Sequence, residues 1–170
     1  MDLAEAIGQE AKYLVEAGAE MVQIDEPVLS KGVDLNLAFK AMKKIIEIGE
    51  IPLPALHACG NITGIFDAIV KEAPVKMISI EGEWLRDQSL NYVNEKFLQG
   101  EDVVIGLGCF RVSDYKVERL LMLQNFLDRM VSKLGENNIW AVMPNCGLRY
   151  MPRDVAYEKL SIMVQAARTI

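Results

Sequence analysis

The sequence predicts an α/β fold built on a parallel sheet. Three observations carry this. Five short apolar runs alternate with helical stretches along all 170 residues. The runs are apolar at consecutive positions, as strands buried on both faces are. Each run is separated from the next by a helix, the arrangement of right-handed βαβ units.

The elements follow in order. Residues 3–17 place Leu3, Ala6, Ile7, Leu14 and Val15 at helical spacing. "AGAEMVQIDEP" reads as a strand stopped by Pro27. Residues 35–48 are helical by the spacing of Leu37, Phe39, Met42, Ile45 and Ile46. "LPALHAC" is the next strand, and 62–72 the next helix. "VKMISIEG" is the third strand, and 87–98 a helix with Asp87 as its N-cap. "DVVIGLGCF" is the fourth strand. A long helix runs from about 114 to 134, with Ser113 as its N-cap. "NIWAVMPNCG" is the last strand, and 153–168 the last helix. The count is five strands and six helices, with no linker or low-complexity tract, so residues 1–170 read as a single domain.

Two architectures fit: an open doubly wound sheet, or part of a (β/α)8 barrel. A full barrel usually needs roughly 200 residues or more, and five strands cannot close one.

Composition narrows the function classes. The chain is 51% hydrophobic and 25% charged, as ordinary globular domains are. A net charge of -6 argues against nucleic acid or an anionic membrane surface as a partner. No apolar run reaches the roughly 18 residues of a membrane span. The acidic, polar start "MDLAEAIGQEAK" is not a signal peptide. Three cysteines, Cys59, Cys109 and Cys146, suit reduced thiols or metal ligands better than a disulfide framework. These features predict a cytoplasmic protein. No phosphate-binding glycine loop is present, and the glycine pair of "GLGCF" is weak support for one.

In either architecture function gathers at the carboxyl ends of parallel strands. Polar residues stand there: Asp25-Glu26, His57-x-Cys59, Glu81, Cys109 and Asn145-Cys146-Gly147. His57 is the only histidine. In extended backbone it points to the same side as Cys59, so both can reach one ion. Zinc takes imidazole, thiolate and carboxylate donors, and Glu81 and Cys146 can complete a four-ligand set. Two thiolates and one carboxylate would leave a Zn2+ site with a net charge of about -1. Plainer readings stand beside these. Asp25-Glu26-Pro27 can simply end a strand, Glu81 can be a solvated acid, and Cys109 can be a small buried hydrophobe.

Four stretches carry a resemblance. "VQIDEPVL", "LHACGN", "SIEGE" and "VMPNCGLRYMP...MVQAA" resemble, in order, the strand-end motifs of the cobalamin-independent methionine synthases. The likeness is greatest to the short archaeal, single-barrel relatives. It covers nearly the whole chain from about Ala17 to Ile170. This family is related to the superfamily of uroporphyrinogen decarboxylase and the coenzyme M methyltransferases.

The resemblance implies a zinc-dependent methyltransferase on a partial (β/α)8 TIM barrel, the five strands corresponding to barrel strands four to eight. It implies that His57, Cys59, Glu81 and Cys146 are the zinc ligands, and that Asp25 receives the amino group of homocysteine. Zinc would lower the pKa of the homocysteine thiol, which would attack a methyl group carried on a corrinoid or a methylated pterin. The product would be methionine.

The chain also departs from the family pattern. Large members carry a histidine just after the seventh barrel strand, thought to act in proton transfer. The matching stretch here is "GCFRVSD", where Ser113 and Asp114, with Arg111, are the weak candidates for that role. The first three barrel strands have no counterpart, and an isolated arc exposes two strand edges. We therefore expect a homo-oligomer or a partner chain that covers them. Two rival functions remain open. A methylcobamide:coenzyme M methyltransferase also uses a His-x-Cys zinc site, but coenzyme M has no amino group for Asp25. A non-catalytic remnant or subunit that holds zinc or a thiol is the other.

Overall fold

In the computed structural model, residues 2–82 and 92–170 are described. The chain divides into two compact units. One comprises Met1–Ser79 with Glu101–Val103, the other Ile80–Gly100 with Val104–Ile170.

The first unit holds α1 (Asp2–Glu16), β1 (Met21–Asp25), α2 (Leu35–Gly49), β2 (Leu53–His57), α3 (Phe66–Glu72) and the start of β3 (Met77–Glu81). β1 pairs with β2 in parallel, with Asp25 level with His57. β2 pairs with β3 in parallel, with His57 level with Ser79. The ends of β1 and β2, Asp25 and His57, thus lie side by side in this unit, with Ser79 of β3 next to them.

Helix α1 departs from the expected face. Its buried residues are Ala4, Gly8 and Ala11, whereas Leu3, Ile7 and Leu14 are exposed. The reason is the approach of α2. A side chain at Gly8 would come 2.8 Å from Cβ of Ile48, and one at Gly49 would come 2.9 Å from Cβ of Ala11. Small residues let the two helices meet closely, and Ala4, Ala11, Ile45 and Ile51 form the core between them. Helix α2 starts at Asp34, whose carboxylate accepts from the backbone N–H groups of Asn36 and Leu37 at 3.0 and 3.3 Å. Phe39, Met42 and Ile45 are buried as their spacing predicts, but Leu37 is exposed. Helix α3 begins four residues later than expected. Asn61 Oδ1 accepts from the N–H and hydroxyl of Thr63 at 3.0 and 2.6 Å, which holds residues 61–63 in a turn.

The second unit holds the end of β3, α4 (Glu95–Leu98), β4 (Val104–Gly108), α5 (Leu120–Leu134), β5 (Ile139–Met143) and α6 (Arg153–Ala167). β4 pairs with β5 in parallel, with an irregularity between Ile105 and Gly106. The predicted helix 87–98 falls partly outside the described residues, Asp87 included. Within them, Asn94 caps α4 by accepting from the N–H of Phe97 at 3.0 Å. Helix α5 buries Leu123, Phe126, Leu127, Met130 and Leu134, a continuous stripe at helical spacing.

Ser113 does not cap α5, which starts at Leu120 rather than near 114. Three contacts hold the intervening loop away from helical geometry. Asp114 accepts from the N–H of Lys116 at 2.9 Å. The Tyr115 hydroxyl donates to the Tyr150 carbonyl at 2.9 Å. Lys159 on α6 is fully buried and donates to both carboxylate oxygens of Glu118, at 3.0 and 3.1 Å, and to the Arg111 carbonyl at 3.2 Å. These contacts outweigh the local helical preference of residues 114–119.

Strands β2, β3 and β4 bury nearly every residue, as expected of parallel strands covered on both faces. β1 and β5 are less buried, and Trp140 on β5 is half-exposed. Among the described residues no helix is long and apolar enough to cross a membrane.

Candidate metal centre

In the first unit His57 closes β2 and is 4% exposed. Its Nδ1 meets the hydroxyl of Ser79 on β3 at 3.1 Å, and its Nε2 lies 3.2 Å from Sγ of Cys59. Ser79 is itself buried. When Nδ1 carries the proton and donates to Ser79, Nε2 is left as a lone-pair donor aimed at the Cys59 sulfur. This is the outer-sphere arrangement that fixes the tautomer of a metal-binding histidine. Sequence reasoning missed Ser79, although it sits two residues before Glu81 on the same strand.

Cys59 is half-buried. The next residue, Gly60, has φ of 82°, so the chain turns away directly after the sulfur. Zn–N and Zn–S bonds in a tetrahedral site imply an N···S separation of roughly 3.6 Å. The observed 3.2 Å needs only a few tenths of an ångström of opening to admit the ion. The chemistry of this pair therefore fits zinc.

Asp25 ends β1, level with His57, and is exposed. Its carboxylate accepts from Gln23 Nε2 at 2.8 Å. The backbone N–H of Glu26 donates to the His57 carbonyl at 2.9 Å, tying the turn after β1 to the end of β2. Asp25 thus presents a carboxylate beside the His57 rung.

The other two predicted ligands belong to the second unit. Glu81 closes β3 and is partly exposed. Cys146 lies in the turn after β5 and is half-buried. The N–H of Asn145 donates to the Phe110 carbonyl at 3.0 Å, and the N–H of Cys109 to the Met143 carbonyl at 2.9 Å. These bonds join the turns that follow β4 and β5. Cys109 is buried at 3% exposure, as a packing residue is. Ser113 and Arg111 are exposed in the loop after β4, and the Asp114 carboxylate is engaged with its own turn.

A family model described as "Cobalamin-independent synthase, Catalytic domain" matches residues 1–169. The chain belongs to this family. Among curated members, the methionine synthase of Methanothermobacter marburgensis is 39% identical over 168 residues, covering 98% of this chain and 52% of that protein. The methionine synthase of Methanothermobacter thermautotrophicus is 36% identical over 168 residues, with 98% and 53% covered. This synthase-family chain spans about half the length of the curated relatives it matches. Among solved structures, a B12-independent methionine synthase from Shewanella sp. W3-18-1, in complex with selenomethionine, superposes with a TM-score of 0.75. It is 18% identical and is matched over 98% of this chain and 53% of that one. That likeness shows the fold. The expected α/β partial barrel, with five parallel strands alternating with helices, is the fold of this synthase-family chain.

Proposed function

We propose that residues 1–170 act as one domain of a cytoplasmic, zinc-dependent methyltransferase that converts homocysteine to methionine. The methyl donor is a methylcorrinoid or a methylated pterin. The observation that carries the reading is the His57–Cys59 pair, whose Nε2 and Sγ stand 3.2 Å apart while Ser79 meets the other ring nitrogen. Family membership over residues 1–169 supports it.

In this reading His57, Cys59, Glu81 and Cys146 would be the four ligands, a set with the imidazole, thiolate and carboxylate donors that zinc takes. Zinc held there would supply Lewis acidity that lowers the pKa of a coordinated thiol. The chain's own residues would do the rest. Asp25 would bind the substrate ammonium by a charge-assisted hydrogen bond and so orient the thiol. Ser79 would hold the His57 ring. Ser113 and Asp114 remain the candidates for proton transfer in the loop after β4. Association with a second copy or a partner chain belongs to the same reading, and the half-exposed Trp140 on β5 is consistent with it.

Asp25 favours homocysteine over coenzyme M, because coenzyme M offers no ammonium to bind. The test offers methylcobalamin with each thiol to the zinc-reconstituted chain. Methionine formation supports the reading. Methylation of coenzyme M alone reverses the acceptor. Zinc binding with no transfer to either thiol, from methylcobalamin or from a methylated pterin offered in its place, points to the non-catalytic subunit.

A further inference from the structure

The second unit contains a cleft of about 720 Å3 over the carboxyl end of β4, formed by the loop after that strand and the start of α5. Arg111, Lys116, Arg119 and Arg129 line it, against Asp114 and Glu118. Of the two acids, Glu118 is already held by both its oxygens on the buried Lys159. The Asp114 carboxylate accepts from the N–H of Lys116. The cleft is therefore basic in a chain whose net charge is -6.

Two further features point to a ligand. Helix α5 is 15 residues long, opens at Arg119 on this cleft, and has no side-chain cap. Uncapped N–H groups and the positive end of the helix dipole favour an oxyanion. Independently, Asn145 also lines the cleft. It is 5% exposed, and its Oδ1 is buried without a hydrogen-bond partner among the described residues. A side chain at Gly108 would come 2.6 Å from that oxygen, so only glycine fits against it at this end of the cleft. A buried acceptor left unpaired costs on the order of 1–3 kcal/mol, and a bound donor removes that cost.

We infer that this cleft binds a small oxyanion-bearing molecule, its carboxylate or phosphate facing Arg111, Arg119 and Arg129, and an N–H or O–H group donating to Asn145 Oδ1. The inference does not depend on zinc, because every residue it uses lies outside the proposed ligand set.

The test is an NMR titration of the full, isotopically labelled chain with three probes. Succinate carries two carboxylates and no N–H donor. N-acetylaspartate adds an amide N–H to the same two carboxylates. Inorganic phosphate tests the other oxyanion. The expected result is binding that perturbs residues 108–119, with N-acetylaspartate held about three- to tenfold more tightly than succinate, the effect of one net hydrogen bond. Asn145→Ala should abolish that preference. Arg119→Gln and the exposed Arg129→Gln should each weaken binding by about tenfold, while Lys40→Gln, on α2 in the other unit, should not. Phosphate binding that is lost in the arginine variants also supports the site and assigns the anion as phosphate. Absence of perturbation by all three probes at millimolar concentration overturns the inference. So does binding that ignores both arginine variants.

Discussion

Lys159→Met removes the one fully buried charge among the described residues while keeping the length of the side chain. In the wild type the ammonium has no exposure and makes three hydrogen bonds at 3.0 to 3.2 Å. It also lies 5.1 Å from the centre of the Phe110 ring. Removing one partner of a buried ion pair typically costs about 3–5 kcal/mol, because the other charge is left without compensation. Here the Glu118 side chain keeps 21% exposure, so it regains some hydration. The expected loss is therefore near the lower end, about 3 kcal/mol. For a chain of this length that corresponds to a fall in Tm of roughly 6–12 °C. Urea unfolding at pH 7, followed by circular dichroism, measures it. The double variant Lys159→Met with Glu118→Gln should recover about 1 kcal/mol or more, since it no longer strands a carboxylate. A loss below about 1 kcal/mol for the single variant, or no recovery in the double, would refute the reasoning.

Further outcomes follow from other contacts. Ser79→Ala should weaken zinc binding by about tenfold or more with little change in fold, as chelator competition would show. Gly108→Ala would bring a methyl carbon to 2.6 Å from both Asn145 Oδ1 and the Ile80 carbonyl; a loss of about 1–3 kcal/mol or more on chemical unfolding is expected. Asp25→Asn should raise the KM for homocysteine far more than it lowers kcat, if its role is to bind the ammonium. The Lys12–Glu50 pair gives a pH prediction. Lys12 holds the Glu50 carboxyl below its ordinary value of 4.5, and Glu50 raises Lys12 above 10.5. The pair stabilises the fold between those two titrations. Its contribution falls as pH drops through and below about 4.5 and again as pH rises past 10.5. The difference in Tm between wild type and Lys12→Gln should accordingly be present at pH 7, shrink in high salt, and vanish in strong acid.

The fold class was legible because each strand is short, apolar on both faces and flanked by a helix, a pattern that depends on local sequence alone. The strand ends were legible for the same reason: Asp25, His57 and Glu81 occupy the last positions of β1, β2 and β3. What escaped the sequence depends on partners distant along the chain. Leu3, Ile7 and Leu14 make the larger apolar face of α1, yet Ala4, Gly8 and Ala11 are buried because α2 packs against them closely. Ser113 has the chemistry of a cap, but Lys159, 46 residues later, holds Glu118 and delays the helix to Leu120. Ser79 carries no motif of its own; only the register that sets it level with His57 reveals its contact with the ring. Asn145 gave no sign of an unpaired oxygen, since that depends on what surrounds it in three dimensions.

The central claim is that the chain holds zinc through His57, Cys59, Glu81 and Cys146. Metal analysis of the purified, reduced chain beside a Cys146→Ala variant tests it most directly. The account predicts close to one zinc per chain, lost or greatly weakened in the variant. No bound zinc after reconstitution under reducing conditions, or zinc that is indifferent to Cys146, would contradict it.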